Sequence, residues 1–365
     1  MLEITQGNGD RRGLKYRGRV LHDADRATEE ARDQVMQVKA EGKGLIVVFG
    51  LGLGYHIEEL AGLWPQAKIV AFDPEPALQD AYAKHAADTG TGPDRLTIVR
   101  DWPSLNYLLT QEIVHGNNPD PAVFKHPEYQ ILFPKESEAF AGIINGARVR
   151  RAVMDKTIQE KGGLFLDNLA DNLPDIMNLP LLTELQGRLP SRPGFIVGAG
   201  PGLEKNGDLL RNLDGRGLIL AAASAWKPLL DKGVRPDMLA VVEAEDTSRF
   251  LRLAEPDPKA LLALASTAHP EHFNVPGFNQ SVYHLSQGAA YILGAETFAP
   301  QAGTAGTAAF TIGLLWGLNP LILIGQDQAF ASDRLHVQGS PSPNPTPDEV
   351  TTFSVTGTGG DKVQT

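Results

Sequence analysis

The sequence has no cysteine among its 365 residues. This absence excludes disulfides, thiolate zinc sites and cysteine nucleophiles, and it is typical of a reducing compartment. Basic residues are also few. The sequence has 33 Lys and Arg against 44 Asp and Glu, which gives a net charge of −11. Sequence-independent nucleic-acid binding depends on clustered Lys and Arg, so we expect no nucleic-acid partner. An anionic ligand must therefore be held by backbone amides or by a few placed cations.

Long hydrophobic runs are almost absent. The first residues lack an apolar core followed by a small-residue cleavage site, so we expect no signal peptide and a cytoplasmic protein. One stretch, Thr297 to Gln326, carries no charge and is long enough to cross a bilayer. Because four glycines and Asn319-Pro320 interrupt it, it predicts a buried helix followed by a buried strand, and no membrane span.

Apolar runs alternate with helical segments along most of the chain, which predicts βαβ units and parallel sheets. We therefore expect an α/β protein with two Rossmann-like parallel-sheet units joined by a helical connector. The expected parts are a charged lead-in over 1–43, a first Rossmann-like domain over 44–114, a crossover and helical connector over 115–190, a central domain over 191–330, and a lid-like or truncated segment over 331–365, rich in Ser, Pro, Thr and Gly.

The first glycine loop follows the apolar run LIVVF and contains Gly50, Gly52 and Gly54. Glycines at this position allow close approach of a ligand phosphate to a helix N-terminus. Asp73 ends the next apolar run, where an acid commonly contacts a ribose hydroxyl. The spacing resembles an S-adenosylmethionine-binding methyltransferase loop, but no methyltransferase catalytic motif follows. Tight packing of a helix on the sheet is the alternative role of these glycines.

The second glycine loop begins a series of four features in fixed order. The run FIVGAGPGL reads as strand, loop and helix start, and LILAAASAW places a small polar residue at the end of a second strand. A third strand lies within VRPDMLAVVEAED. The turn GTAGTAA then precedes an apolar helix, and LILIGQD ends a last strand. Carboxyl ends of parallel strands meet at one edge of a sheet, so these features predict one ligand site.

This order resembles the central domain of the motility accessory factor glycosyltransferases, which modify flagellin, and LIGQD after GTAGTAA is its most specific part. The family shares its domain type with the 6-hydroxymethylpterin diphosphokinase-like proteins. Its core is similar to bacterial sialyltransferases that use CMP-sugars. The run GLGLGYHIEEL with FDPEP also resembles the N-terminal part of these proteins. Two positions depart from the family pattern. This sequence has Gly202 where the family usually has a serine, and Glu243 where the family usually has an aspartate.

The resemblance implies a donor nucleotide site at the carboxyl edge of the second sheet. Its implied residues are Gly198, Gly200, Pro201, Gly202, Ser224, Asp237, Thr304, Ala305, Gly306, Gly325 and Gln326. The glycine-loop amides would hold the donor phosphate, and Ser224 with Glu243 would lie at neighbouring strand ends. Taken singly, each glycine also fits a turn requirement, and Asp327 also fits a helix cap.

Transfer of a sugar needs a base that removes the acceptor proton. The candidates in the right region are His336, Glu243 and Asp327, and His336 has the ordinary pKa closest to neutrality. Helix-terminal amides stabilise the leaving phosphate without a metal. His269 and His272 are spaced i, i+3, but Pro270 between them argues against a helical metal pair. No other spacing indicates metal ligands, so we expect no metal site.

Three functions fit these observations. The first is transfer of a nonulosonic, sialic-like sugar from a CMP-activated donor to Ser or Thr of flagellin, with no further cofactor. The second is 6-hydroxymethyl-dihydropterin diphosphokinase activity with ATP and Mg²⁺, the metal held by Asp237, Glu243 or Asp327. The third is a non-catalytic nucleotide-binding scaffold for flagellin.

Overall fold

The computed structural model describes residues 1–7, 11–90, 92–213, 215–285, 290–291, 293, 303–331, 333–350, 352, 354–357 and 360–364. The chain divides into two units, Met1–Glu160 and Lys161–Thr365. The boundary falls inside one long helix. No helix in the described ranges is long and apolar enough to cross a membrane.

The first unit contains two sheets and the helices that flank them. Its strands are β1 (Leu2–Gln6), β2 (Arg12–Tyr16), β3 (Arg19–His22), β4 (Leu45–Phe49), β5 (Lys68–Phe72), β6 (Leu96–Val99) and β7 (Ala122–Lys125). Its helices are α1 (Ala27–Val35), α2 (Tyr55–Leu63), α3 (Pro76–Thr89), α4 (Trp102–Leu109), a π-helical turn (Thr110–His115), α5 (Pro127–Leu132) and the start of α6 (Pro134–Asp171).

The central sheet of this unit is parallel, with the strand order β6-β5-β4-β7. Leu45, Val47 and Phe49 enter one apolar core, while Ile46 and Val48 enter the other. Both faces of β4 are therefore buried, which is why the run is uniformly apolar rather than alternating. The three strands predicted for this unit from LIVVF, KIVAF and DRLTIV are confirmed.

The segment 1–43 differs from the expected loose or helical lead-in. It forms the antiparallel sheet β1-β2-β3 and helix α1, and Leu14 and Leu21 lie in the same core as β4. A two-residue turn joins β2 to β3, with positive φ at both Arg17 and Gly18. Such turns match the twist of a hairpin. The Gly-containing turn between two short alternating runs is the signal that predicts this hairpin.

The first unit also extends further than residue 114. β7 pairs in parallel with β4, so a strand of the expected crossover completes the sheet. The run AVFK that forms β7 is short and lies in a Pro- and Asn-rich segment. The sequence pattern therefore did not predict this strand. The helical character expected between 136 and 190 is present in α6 and in α7 (Leu173–Ile176), after which short and irregular segments lead to the next sheet.

The second unit is a parallel sheet with the order β12-β11-β10-β9-β8-β13. Its strands are β8 (Gly194–Val197), β9 (Leu218–Ala222), β10 (Met238–Val241), β11 (Leu261–Ala265), β12 (Asn279–Tyr283) and β13 (Leu321–Ile324), which include the four strands named above from the sequence. Its further helices are α8 (Gly202–Asn206), α9 (Trp226–Asp231) and α10 (Ala305–Trp316). Short 3-10 segments are Leu182–Leu185, Gly207–Asn212, Ala223–Ala225, Ser248–Leu253, Pro270–His272 and Pro347–Glu349.

The uncharged stretch from Thr297 supplies α10 and β13, as expected, although residues 297–302 lie outside the described residues. The last segment contains a small antiparallel hairpin, β14 (Ser354–Thr356) and β15 (Lys362–Gln364). The fold is thus α/β with two parallel sheets, one in each unit.

Candidate functional site

The site expected in the second unit lies where the chain order of the sheet reverses. β8 is the first strand of this sheet, with β9 on one side and β13, the last strand, on the other. Ligands of open parallel sheets commonly bind in a crevice at the carboxyl edge beside such a reversal of chain order. The loop after β8 is Gly198–Gly202, and the loop after β13 begins at Gly325. Both loops were expected in the donor site.

These two loops bind each other closely. The Gly198 amide donates to the Ile324 carbonyl at 2.9 Å, and the Gly200 amide donates to the Gly325 carbonyl at 2.8 Å. The Gly202 amide donates to Oδ2 of Asp327 at 2.8 Å. The expectation that these three amides hold the donor phosphate is therefore wrong for this structure, because each already has a protein acceptor.

Asp327 explains why three glycines are needed in the β8 loop. A Cβ on Gly200 would lie 2.4 Å from Asp327 Oδ2, and a Cβ on Gly202 would lie 2.6 Å from Oδ1. A Cβ on Gly198 would lie 2.5 Å from the Gly325 carbonyl oxygen. The carboxylate fits only because the loop has no side chains there. Asp327 thus caps the Gly202 amide through Oδ2, which favours the helix-cap alternative, and its role as a base stays a prediction.

Free amides remain at the N-terminus of α10. Thr304 caps this helix, because its Oγ1 accepts from the Thr307 amide at 3.2 Å and its own amide donates to Thr307 Oγ1 at 3.0 Å. The Thr304 hydroxyl is therefore engaged within the helix terminus rather than directed at a ligand. Ala305 and Gly306 occupy the first two helical positions, where amides have no intrahelical acceptor.

Gln326 connects the helix terminus with the glycine loop. Its Nε2 would lie 2.6 Å from a Cβ on Gly306 and 3.0 Å from a Cβ on Gly198. This nitrogen is buried and has no hydrogen-bond partner among the described residues. Buried donors are rarely left unpaired, so this one is suited to a ligand oxygen. The amides of Ala305 and Gly306 and the Gln326 side chain form the donor set of the site.

His336 lies beside the glycine loop, although it is distant in sequence. The amide of the next residue, Val337, donates to the Ala199 carbonyl at 2.8 Å. The backbone of His336 is held by Asn344, whose Oδ1 accepts from the His336 amide at 3.0 Å. Burial lowers the pKa of His336 from its ordinary value. Its Nδ1 is buried without a partner in the described part of the chain.

The segment after His336 also reaches the end of β9, where Ser340 Oγ donates to the Ser224 carbonyl at 3.4 Å. Ser224 and Glu243 follow the neighbouring strands β9 and β10, as expected. Three strand spacings of about 4.8 Å separate β10, which precedes Glu243, from β13, which precedes Asp327, so the two strands lie about 14 Å apart. Glu243 is exposed at this edge.

Asp237 was expected in the donor site, but the structure places it at the opposite edge of the sheet. It precedes β10, and its Oδ2 accepts from the Ile219 amide, in the first half of β9, at 2.8 Å. Burial raises the pKa of this carboxyl group. It lines a cavity of about 210 Å³ with Gly217 and Arg235. Because Asp237 and Glu243 flank the same strand at its two ends, they cannot share a metal ion.

The sequence analysis missed His284, which follows β12 directly. It is buried, and neither of its ring nitrogens has a partner among the described residues. Ser266 after β11 is buried next to it, because its amide donates to the Tyr283 carbonyl at 2.9 Å, and its Oγ is also unpartnered. A histidine directly after an apolar strand was the available signal. β12 lies four strand spacings from β8, so His284 belongs to the far end of the same edge.

The first glycine loop is filled by the side chains of its own unit. The Leu51 amide donates to Asp73 Oδ2 at 2.9 Å, the Gly52 amide to the Tyr129 hydroxyl at 2.9 Å, and the Leu53 amide to His22 Nε2 at 3.0 Å. These bonds use the donors that a ligand phosphate requires. A Cβ on Gly52 would lie 2.1 Å from His22 Nε2, and Cβ atoms on Gly50 and Gly54 would meet tyrosine rings.

Asp73 is fully buried rather than open to a ribose. Besides the Leu51 amide, it accepts from the Tyr129 hydroxyl at 2.6 Å and from the Glu75 amide at 3.0 Å. Burial raises its pKa to about 6. The expected ligand contacts of Gly50, Gly52, Gly54 and Asp73 are therefore replaced by internal ones, and tight packing explains the glycines.

We expect no measurable binding of S-adenosylmethionine to this protein. The loop amides already donate to Asp73, Tyr129 and His22, so the cofactor would have to displace three buried hydrogen bonds. Isothermal titration calorimetry at micromolar to millimolar cofactor checks this. Saturable heat that disappears in Asp73→Ala would show that the loop opens and would restore a methyltransferase function.

Comparison with known proteins shows which family the second unit is similar to. Residues 167–333 match the sequence model of the family described as 6-hydroxymethylpterin diphosphokinase MptE-like. The matched segment spans less than half of the 365-residue chain. It contains β8 to β13 and every residue of the expected donor site, while His336 lies just beyond it. No curated protein matches the sequence.

Among solved structures, the fold is similar to the MAf glycosyltransferase of Magnetospirillum magneticum AMB-1. The TM-score is 0.52 at 15% identity, and the match covers 100% of this chain and 64% of that one. The chain thus spans about two thirds of the length of that glycosyltransferase, and the MptE-like segment lies within the matched region. A methyltransferase of Podospora anserina, PaMTH1 with bound SAH, matches 37% of this chain at 21% identity with a TM-score of 0.20, which is too low to indicate a shared fold.

Proposed function

We propose that this protein is a glycosyltransferase that moves a nonulosonic, sialic-like sugar from a CMP-activated donor to a Ser or Thr hydroxyl of flagellin. The carboxyl edge of the sheet at β8 and β13 carries the proposal, because Gln326 Nε2, a buried donor without a partner among the described residues, lies there against Gly306 at the start of α10. The fold shared with a MAf glycosyltransferase supports the reaction type. The sugar, the acceptor and a cytoplasmic location follow from the family resemblance of the motifs.

The donor phosphate is placed at the N-terminus of α10. Ala305 and Gly306 are the first two residues of α10, Gln326 Nε2 lies against Gly306, and the dipole of this 12-residue helix favours negative charge at its N-terminus. Charge grows on this phosphate as the sugar leaves. Preorganised amides stabilise that charge, so the proposed reaction requires no metal or further cofactor.

His336 is the proposed base. It has a buried, unpartnered Nδ1, and the bond from Val337 to Ala199 holds it beside the glycine loop. Since burial lowers its pKa, the ring is neutral at pH 7 and can accept the proton of an acceptor hydroxyl. Asp327 is engaged with Gly202, and Glu243 is three strands away from β13.

The family match favours a second candidate function, pyrophosphate transfer from ATP to a hydroxymethylpterin. That reaction needs Mg²⁺ held by carboxylates. Asp237 lies at the other edge, and the strands that precede Glu243 and Asp327 are about 14 Å apart at strand spacings of about 4.8 Å. The three expected metal ligands therefore do not converge, so we rank this function second. A non-catalytic flagellin scaffold is the third candidate.

We expect CMP to raise the melting temperature of the protein and Gln326→Leu to weaken CMP binding about 10-fold or more. A hydrogen bond to a charged group contributes about 1.5–3 kcal/mol, and this substitution removes one donor without adding a Cβ to the loop. Gly200→Val is a poorer test, because its Cβ would collide with Asp327. Thermal shift followed by calorimetry measures both effects.

Asp237→Asn is the matched control, since it changes a carboxylate at the opposite edge and should leave CMP binding unchanged. CMP binding that is insensitive to Gln326→Leu would place the donor elsewhere. Stabilisation by ATP with Mg²⁺ but not by CMP, with phosphorylation of 6-hydroxymethyl-dihydropterin, would select the diphosphokinase. CMP binding without sugar transfer to flagellin would select the scaffold.

A further inference from the structure

Three histidines from distant parts of the sequence meet inside the first unit. His22 ends β3, His56 lies in α2, and His126 follows β7 directly. All three are buried, with exposed fractions of 4%, 0% and 0%. One ring nitrogen from each lies within 4.8 Å of the others. Their spacing of tens of residues gives no metal-ligand pattern, so the sequence predicted none.

The three imidazole rings lie at mutual distances close to those around a bound ion. Ring centroids are 5.3 Å apart for His22 and His126, 5.3 Å for His56 and His126, and 6.0 Å for His22 and His56. Two imidazoles bound to one tetrahedral ion at metal–nitrogen distances of about 2.0–2.1 Å have centroids about 5 Å apart. The observed triangle therefore needs only a small contraction to hold an ion.

Two of the three rings carry buried nitrogens with no partner in the described residues, Nδ1 of His56 and Nε2 of His126. His56 Nε2 lies 2.9 Å from the Gly50 carbonyl oxygen and donates to it, which leaves the lone pair on Nδ1. His126 Nδ1 lies 3.3 Å from the Glu128 amide, and the Leu21 carbonyl also acts on this ring. A backbone carbonyl is a common outer partner of a metal-bound histidine.

The third ring, His22, uses Nε2 to accept from the Leu53 amide at 3.0 Å, so binding of an ion by this ring would replace that hydrogen bond. Burial lowers the pKa of all three histidines, to about 3 for His56 and about 4 for His126, so they are neutral at pH 7, as a ligand must be. Nitrogen ligands of this kind suit Zn²⁺, Co²⁺, Ni²⁺ or Cu²⁺ rather than Mg²⁺ or Ca²⁺.

We propose that His22, His56 and His126 form a binding site for a borderline transition-metal dication, with Zn²⁺ as the probe. The ion ties together the ends of β3 and β7 and the start of α2. Three segments far apart in sequence are thereby crosslinked, so the metal stabilises the first unit. The site is independent of the donor crevice, which belongs to the other unit.

The test uses the whole chain, dialysed against EDTA and then titrated with Zn²⁺ and Co²⁺. We expect one ion per chain after desalting, measured by inductively coupled plasma mass spectrometry, together with a higher urea midpoint. Co²⁺ should give visible absorption bands that Zn²⁺ abolishes. His56→Gln and His126→Gln should each weaken binding about 100-fold or more, since even outer-partner changes cost about 10–100-fold. His115→Gln, at an exposed histidine, should bind the metal like the wild type.

Absence of Zn²⁺ binding by the wild type at micromolar concentrations would overturn the proposal whatever the variants do. Equal binding by wild type, His56→Gln and His126→Gln would assign the ion to a surface site and would also overturn it. If both variants fail to fold by circular dichroism, X-ray absorption of the Zn²⁺-loaded wild type decides. Three imidazole ligands support the site, and fewer than three refute it.

Discussion

Replacement of His336 by alanine should slow sugar transfer about 10²–10⁴-fold, the usual contribution of a positioned base. The affinity for CMP should hardly change, because the phosphate is placed on the amides of Ala305 and Gly306 and on Gln326. The fold should also persist, since the bonds from Val337 to Ala199 and from the His336 backbone to Asn344 do not use the imidazole, and the variant loses only the bond of the ring to the Pro343 backbone. Initial rates with a CMP-sugar and flagellin measure the first effect, and calorimetry measures the second.

The dependence of the transfer rate on pH is a second, independent test of His336 as the base. A base acts in its neutral form, so the rate rises with pH through the pKa of His336. Burial lowers that pKa from 6.5, so the half-maximal rate should lie below pH 6.5. The limb should vanish in His336→Ala and persist in His115→Ala. Near-wild-type turnover with the same limb would exclude His336 and direct attention to His284, whose ring nitrogens are also buried without a described partner.

Tyr129→Phe should lower the free energy of unfolding of the first unit by about 2–4 kcal/mol. The hydroxyl donates to Asp73 Oδ2 at 2.6 Å and accepts from the Gly52 amide at 2.9 Å. Removing it leaves two buried polar groups short of a partner, at about 1–3 kcal/mol each. Urea denaturation measures the change, and tryptophan fluorescence reports on this unit through Trp102, which packs against Phe72 with ring centroids 4.4 Å apart.

Tyr107→Phe is the matched control, because Tyr107 is 68% exposed and its change should lie within about 0.5 kcal/mol. Equal free energies of unfolding of Tyr129→Phe and wild type would mean that the hydrogen bonds of the Tyr129 hydroxyl do not stabilise the first glycine loop. That outcome, with new binding of an adenosine-containing ligand by Tyr129→Phe, would show that the loop retains a latent cofactor site.

Most strands could be predicted from the sequence because strands buried on both faces are short, uniformly apolar runs. LIVVF, LILAA and LLALA each form the strand expected of them. β1, β2 and β3 were missed because half-buried strands in a charged segment give a weaker pattern. β7 was missed because only four residues of it lie between prolines.

Within the candidate site, the sequence correctly predicted that the glycine loop after β8 and the GQD run after β13 lie together. It did not predict the hydrogen bonds between them. Asp327 lies 125 residues after Gly202, and the pairing of their groups depends on β8 and β13 being neighbours. Asp237 could have been excluded from the sequence alone. It precedes an apolar run whose other end is marked by Glu243, and the two ends of one strand lie at opposite edges of a sheet.

The sequence by itself determined the α/β class, the two parallel sheets and the edge at which a ligand site of the second unit must lie. These follow from local patterns, because apolar periodicity and glycine positions act over a few residues. Only the tertiary structure decided which groups remain available there. It filled the first loop with His22, Tyr129 and Asp73, left Gln326 Nε2 without a partner among the described residues, and assembled three histidines that no spacing connects. The physical reason is that a hydrogen-bond donor or acceptor is satisfied by whichever group the packed chain brings within about 3 Å, however distant in sequence.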